Sequence, residues 1–184
     1  MAKILIVYFT RGGATKFVAD QLSDDLAKGG VTVEREEVKS AQVKLGWWEY
    51  LKNIWGILTG WKYVIDVAPI NKPADYDAVI FGTAVWCSKV SGPLNEWLSQ
   101  QTFDADSKTI YGSFAQAGGR GHDGVHAQIE SIVKKPLAAK QSTLEKETKG
   151  DGTVAKEKTA EFAKTILKAL GIEVAGSTEE KKVE

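Results

Sequence analysis

Residues 3–22, KILIVYFTRGGATKFVADQL, constrain the fold more than any other stretch. Residues 4–9 are six apolar positions in a row, rich in β-branched and aromatic types. Such a run belongs to a strand covered on both faces, as in a parallel sheet. Thr10-Arg11-Gly12-Gly13-Ala14-Thr15 follows, and from Ala14 an amphipathic pattern at Phe17, Val18, Leu22 and Leu26 runs to a stop at Gly29-Gly30. In a strand, turn and helix of this kind the unpaired N–H groups of the first helical turn converge beyond the strand's carboxyl end. That point is an anion site. The two glycines let the backbone approach an anion closely, and Thr10 and Thr15 each offer a hydroxyl.

No Gly-Lys-Ser/Thr follows, so the loop is not a Walker phosphate loop, and Gly-x-Gly-x-x-Gly is absent from it too. A phosphate here is held mainly by neutral donors. At about 1.5–3 kcal/mol each, four or five such hydrogen bonds hold a dianion without a lysine. Ile6-Val7-Tyr8-x-Thr10-x-x-Gly13-x-Thr15-x-x-x-Ala19-x-x-Leu22 resembles the FMN phosphate-binding signature of the flavodoxin family at every defined position. The resemblance implies FMN as cofactor, with Thr10, Arg11, Gly12, Gly13, Ala14 and Thr15 around its phosphate.

Two further loops carry the resemblance. A buried strand over 77–83 leads into a long loop over 82–93, and a helix starts at Pro93. Gly82-Thr83-Ala84-Val85-Trp86 resembles the family's second flavin loop, Gly-Thr-Pro-x-Trp, with Ala84 in place of proline. It implies that Thr83, Ala84, Val85, Trp86, Cys87 and Ser88 lie beside the isoalloxazine ring, with Trp86 stacked on it. The alternative for Trp86 is a core anchor for the loop. A strand over 109–115 ends in Gln116-Ala117-Gly118-Gly119-Arg120-Gly121-His122-Asp123-Gly124. Glycine at that density allows close backbone approach to a ligand, or merely a turn. In the family this loop borders the pyrimidine end of the flavin, which implies contacts from Gln116, Gly118 and Gly119. Arg120 and His122 can then meet a substrate or the reduced ring. His122 and His126 have i,i+4 spacing, but no Cys, Glu or third His completes a motif. Both read as surface helix residues, and no metal is expected.

The least ordinary stretch is 45–63, LGWWEYLKNIWGILTGWKY, with Trp47, Trp48, Trp55 and Trp61 close together. Trp48, Leu51, Trp55 and Leu58 fall at helical spacing, and Trp47 and Ile54 widen the stripe. The plainest expectation is a helix packed on the sheet between the second and third strands. Four tryptophans exceed what such a stripe needs. Their edge can also cover a flavin, line a quinone-sized slot, make a homodimer contact or touch a membrane surface.

The remaining elements are a strand over 31–38, a connection over 64–76 with Pro69 and Pro73, a helix over 125–134, a more polar strand over 137–144 and a helix over 154–170. Strands alternating with helices give an α/β doubly wound parallel sheet, and the resemblance adds a flavodoxin-like five-stranded, three-layer order of 2-1-3-4-5. Ligand then belongs at the carboxyl ends of strands one, three and four, where the three loops lie. A single domain over 1–184 is expected, with 171–184 a frayed tail. No signal peptide or membrane-spanning run is legible. The single cysteine, Cys87, fits a reducing compartment, so a cytoplasmic protein is expected. A response-regulator receiver is excluded, because Phe9-Thr10 and Gly82-Thr83 stand where its acidic residues are required.

Charge balances at 24 basic against 24 acidic residues, which gives no reason to expect nucleic acid. Nor does it match the acidic surface of flavodoxins that act as carriers. The reading is an FMN-dependent oxidoreductase passing electrons or hydride from a reductant to a quinone or other small or protein acceptor. The chemistry then sits on the flavin, and no side chain is assigned as catalyst. The alternatives are a pure electron-transfer flavodoxin and a flavin-free interaction module of the same fold.

Overall fold

The computed structural model describes residues 1–44 and 46–173, except for six side chains in the tryptophan-rich helix. In chain order the elements are β1 (Lys3–Tyr8), α1 (Ala14–Lys28), β2 (Thr32–Glu37), α2 (Trp47–Thr59), β3 (Ala78–Trp86), β4 (Lys89–Val90), α3 (Gly92–Ser99), β5 (Ile110–Ala117), α4 (His122–Val133), β6 (Ala139–Leu144) and α5 (Thr153–Ala169). The parallel strands run in the order β2-β1-β3-β5-β6, which is the expected 2-1-3-4-5 once the short β4 is set aside.

The apolar run of β1 shows why the sheet is covered twice. Leu5, Val7 and Phe9 point to one core, with Leu94, Trp97 and Leu98 of α3 and Val125, Ile129 and Val133 of α4. Ile4, Ile6 and Tyr8 point to the other, with Val18, Ala19, Leu22 and Leu26 of α1 and Phe162, Ala163, Ile166 and Leu167 of α5. Alternate residues of one central strand thus anchor both helical layers. The connection after α2 is pinned to the edge strand β2 by two carboxylates, of which Glu34 accepts from the Tyr76 hydroxyl at 2.6 Å. Glu36 accepts from Trp97 Nε1 at 2.7 Å, from the amides of Ile70 and Asn71 at 3.2 Å and from Asn71 Nδ2 at 2.8 Å.

Four expectations are corrected. The long loop after the third strand is instead an extension of β3 to Trp86, which turns back through Cys87 and Ser88 into β4. Both turn residues are left-handed, at φ 50° and 60°, as a two-residue hairpin matching the sheet's twist requires. Helix α2 forms as expected, but Trp48, Leu51 and Trp55 of its stripe face solvent rather than the sheet. Ile54 and Leu58 of that stripe lie outside the described side chains. Helix α4 starts at His122, and His126 is buried rather than on the surface. Residues 171 and 172 are also held: the amides of Gly171 and Ile172 bond back to Lys168 and Leu167 at 2.9 Å, a glycine-terminated helix end. Residues 174–184 of the expected tail lie outside the described residues.

Candidate functional site

The carboxyl ends of β1, β3 and β5 open on one cleft of about 460 Å³, within the roughly 300–1,000 Å³ of small-molecule sites. Three of its walls are the loops singled out in the sequence. The first supplies Thr10, Arg11, Gly12, Ala14 and Thr15; the second Ala84, Val85 and Trp86; the third Gln116, Ala117 and Gly118. Glu145, from the short turn after β6, closes the remaining side. Ala117 and Glu145 were not anticipated. Glu145 follows the outermost strand, whose end the switch-point argument leaves out.

The first loop is built as an anion cradle. Gly13 caps α1 at φ 92°, a left-handed conformation that favours glycine, and its amide donates to Thr10 Oγ1 at 3.0 Å. The first bond of the helix runs from the Phe17 amide to the Gly13 carbonyl at 2.9 Å. The amides of Ala14, Thr15 and Lys16 therefore have no acceptor within the helix and converge at its positive end. A side-chain carbon added at Gly12 would meet nothing within 4 Å, so space lies above the turn. Arg11 is turned aside: its guanidinium donates to the Gly46 carbonyl at 3.0 Å, which ties the cradle to the start of α2.

The second loop contributes a wall rather than an open flap. Trp86 lines the cleft but is only 7% exposed, with Phe9 edge-on at 5.7 Å and Tyr63 tilted at 6.0 Å. Trp86 is thus packed as a core anchor of the loop, with an edge on the cleft. Thr83 is fully buried, where its hydroxyl pairs with Ser91 at 2.8 Å. Cys87 and Ser88 sit at the exposed hairpin tip, away from the cleft lining. Gly119 and Arg120 are exposed and do not line it either. His122 bonds through Nε2 to the Thr143 carbonyl at 3.1 Å. The geometry draws neither Arg120 nor His122 into the cleft.

Gln116 is the most informative residue of the third loop. It stands at the end of β5, 4% exposed, lines the cleft, and neither atom of its amide has a hydrogen-bond partner. A buried amide left unpaired costs about 1–3 kcal/mol. Both its carbonyl and its amino group are thus left without a partner inside the protein.

Among the described residues no three His, Cys, Asp or Glu side chains gather as metal ligands. No helix among them is long and apolar enough to cross a membrane.

No family model matches the chain, and no curated protein does. Solved structures do. A flavoprotein in complex with FMN from Lactobacillus acidophilus NCFM aligns at TM-score 0.61 and 18% identity, over 80% of this chain and 96% of that one. The two-electron reduced flavodoxin of Megasphaera elsdenii aligns at TM-score 0.51 and 14% identity, over 88% and 98%. The NAD(P)H:quinone oxidoreductase of Methanothermobacter marburgensis aligns at 0.51 and 15%, over 94% and 98%. The fold is flavodoxin-like. The particular protein carries it with an exposed tryptophan helix set between β2 and β3.

Proposed function

We propose that the chain is an FMN-binding redox protein acting as an oxidoreductase. The observation that carries this is the unpaired, buried Gln116 amide lining the same cleft as an anion cradle. A flavin mononucleotide has both complements in one molecule: a phosphate, and a ring edge bearing carbonyl and N–H groups. In this reading the free amides of α1, with Thr10 and Thr15, hold the phosphate. Gln116 takes the polar ring edge, and Ala84, Val85 and Trp86 supply the apolar wall. FMN, when bound, accepts a hydride or single electrons and passes them on; the protein binds it, orients it and limits water.

The electrons are passed from a reductant to a quinone or other small acceptor, in a cytoplasmic setting that the single free cysteine suits. The even charge balance supports an enzyme over a carrier, because it provides no field to steer a protein partner. A visible spectrum with added FMN tests the cofactor, and NADH- or NADPH-dependent quinone reduction tests the activity. Flavin bands without turnover would return the chain to the carriers. A colourless protein that takes up no FMN would overturn the reading.

A further inference from the structure

The two strands of the β3–β4 hairpin border different hollows. Val85 and Trp86 of β3 line the cleft, while their cross-strand partners Val90 and Lys89 of β4 line a second cavity, of about 290 Å³. Its other walls include Trp61, Lys62 and Tyr63, just past α2, and Asn95 and Glu96 of α3. Tyr63 is the partition between the two. Its ring occupies the place that a side chain at Gly92 would need, and it tilts on Trp86 at 6.0 Å.

The polar groups of this cavity are only partly engaged. Lys62 and Lys89 are exposed, and neither makes a hydrogen bond or ion pair among the described residues. Gln128 accepts from the Val90 amide at 2.9 Å and donates to Asn95 Oδ1 at 2.9 Å. That occupies the Asn95 carbonyl and leaves its amino group as a donor. Glu96 accepts from Gln100 Nε2 at 3.0 Å through one oxygen, and the other has no donor among the described residues. Trp61 is 58% exposed. The cavity thus combines a ring, two cations, an amide donor and a carboxylate acceptor.

We propose that it seats the adenosine diphosphate half of a nicotinamide dinucleotide. The ligand class rests on the redox reading above, whose reductant has to reach the cleft. Phosphates take Lys62 and Lys89, whose compact ammonium groups suit that charge. The base lies on the indole of Trp61. Glu96 decides between a nucleotide and a bare anion. A carboxylate repels phosphate, yet it accepts from the sugar hydroxyls that a nucleotide carries and a bare anion lacks. Residues paired across an antiparallel ladder stand about 4.5–5.5 Å apart, so only one hairpin's width separates this seat from the cleft. The nicotinamide half crosses that width.

Calorimetric titration of the full chain with ADP tests the seat and needs no flavin. ADP should bind and quench tryptophan emission. Trp61→Ala should weaken it about fivefold, and Lys62→Gln with Lys89→Gln about tenfold or more. Glu96→Gln should act in opposite senses, with ADP about threefold weaker and inorganic pyrophosphate about threefold tighter. Lys44→Gln, at a surface lysine outside this cavity, should bind ADP as the parent does. Trp61, Lys62 and Lys89 are exposed and Glu96 is half-buried, so unchanged thermal melts will show that the variants fold. In turnover with NADH or NADPH the paired lysine changes should raise KM about tenfold and leave kcat near the parent's. No ADP binding by the parent, or binding that these substitutions leave unaltered, overturns the proposal. So does a Glu96→Gln variant that binds ADP and pyrophosphate both more tightly, which would make the cavity a general anion site. FMN uptake by the same preparations judges the cofactor reading separately, and flavin binding without ADP binding defeats this seat alone.

Discussion

A buried, unpaired amide is a liability in the empty protein and an asset in the loaded one, and Gln116 lets the two be separated by sign. Gln116→Leu keeps the side chain's approximate volume and removes both unpaired atoms. The flavin-free protein should gain about 1–3 kcal/mol in urea unfolding. FMN affinity, read by quenching of flavin fluorescence, should fall roughly tenfold or more, because the ring edge loses its partner. Loss of stability together with unchanged affinity would move Gln116 from the site to the scaffold. The cradle is tested at Thr15, which is 2% exposed yet lines the cleft. Thr15→Val preserves shape and removes one hydroxyl, so FMN should bind about ten- to a hundredfold more weakly, from about 1.5–3 kcal/mol for a charge-assisted bond. Riboflavin, which has no phosphate, should bind as before. Equal losses for both ligands would place the phosphate elsewhere.

At the scale of elements the second wall depends on the β3–β4 hairpin, and the hairpin rests on α4. A side-chain carbon at Gly124, in the first turn of α4, would stand 2.4 Å from the Ser88 carbonyl oxygen, which is backbone and has little room to yield. Gly124→Ala should raise helix propensity by about 1 kcal/mol. We expect the opposite outcome: a lower melting temperature and weaker FMN binding, since Ala84 to Trp86 move with the turn. A stabilised variant with parental affinity would show that the hairpin is not seated on the helix. This contact also marks where the sequence stopped being legible. The central strands and α1 could be read because two-face burial and helical periodicity are properties of the segment itself. The hairpin could not, because Cys87-Ser88 lacks the Asn or Gly that advertises a left-handed two-residue turn. For α2 the periodicity foretold a helix with an apolar face; it contains nothing about what covers that face. His126 did carry a signal, since it shares a helical stripe with the buried Ile129 and Val133. Of the candidate site, the cradle and Gln116 were legible from motif and topology. Glu145 was not, because its approach depends on how the chain leaves β6.

For the whole molecule the buried imidazole of α4 sets a pH limit on stability. His126 is enclosed between α4 and the sheet, with Nδ1 2.6 Å from Ser113 Oγ on β5 and Nε2 3.3 Å from Ser142 Oγ on β6. Burial, with Lys140 and His122 nearby, pushes its pKa down to about 4, while Asp123 and Glu130 offset this only in part. The unfolded chain titrates near 6.5, so below that pH it binds a proton that the folded protein refuses. Stability is therefore full above about pH 6.5 and declines as pH falls toward 4. On going from pH 8 to pH 5 the loss from this group should be on the order of 2 kcal/mol. The carboxylates held low by their partners, Glu130, Glu147 and Asp151, add their own losses at still lower pH. Urea midpoints measured from pH 8 to pH 5 should fall steadily in the parent. In His126→Gln, which keeps a hydrogen-bonding side chain without a basic ring, the slope between pH 6.5 and 5 should largely disappear, whatever the variant's absolute stability. Equal slopes in the two proteins would mean that His126 takes up its proton in place and that the Ser113 bond tolerates the charge.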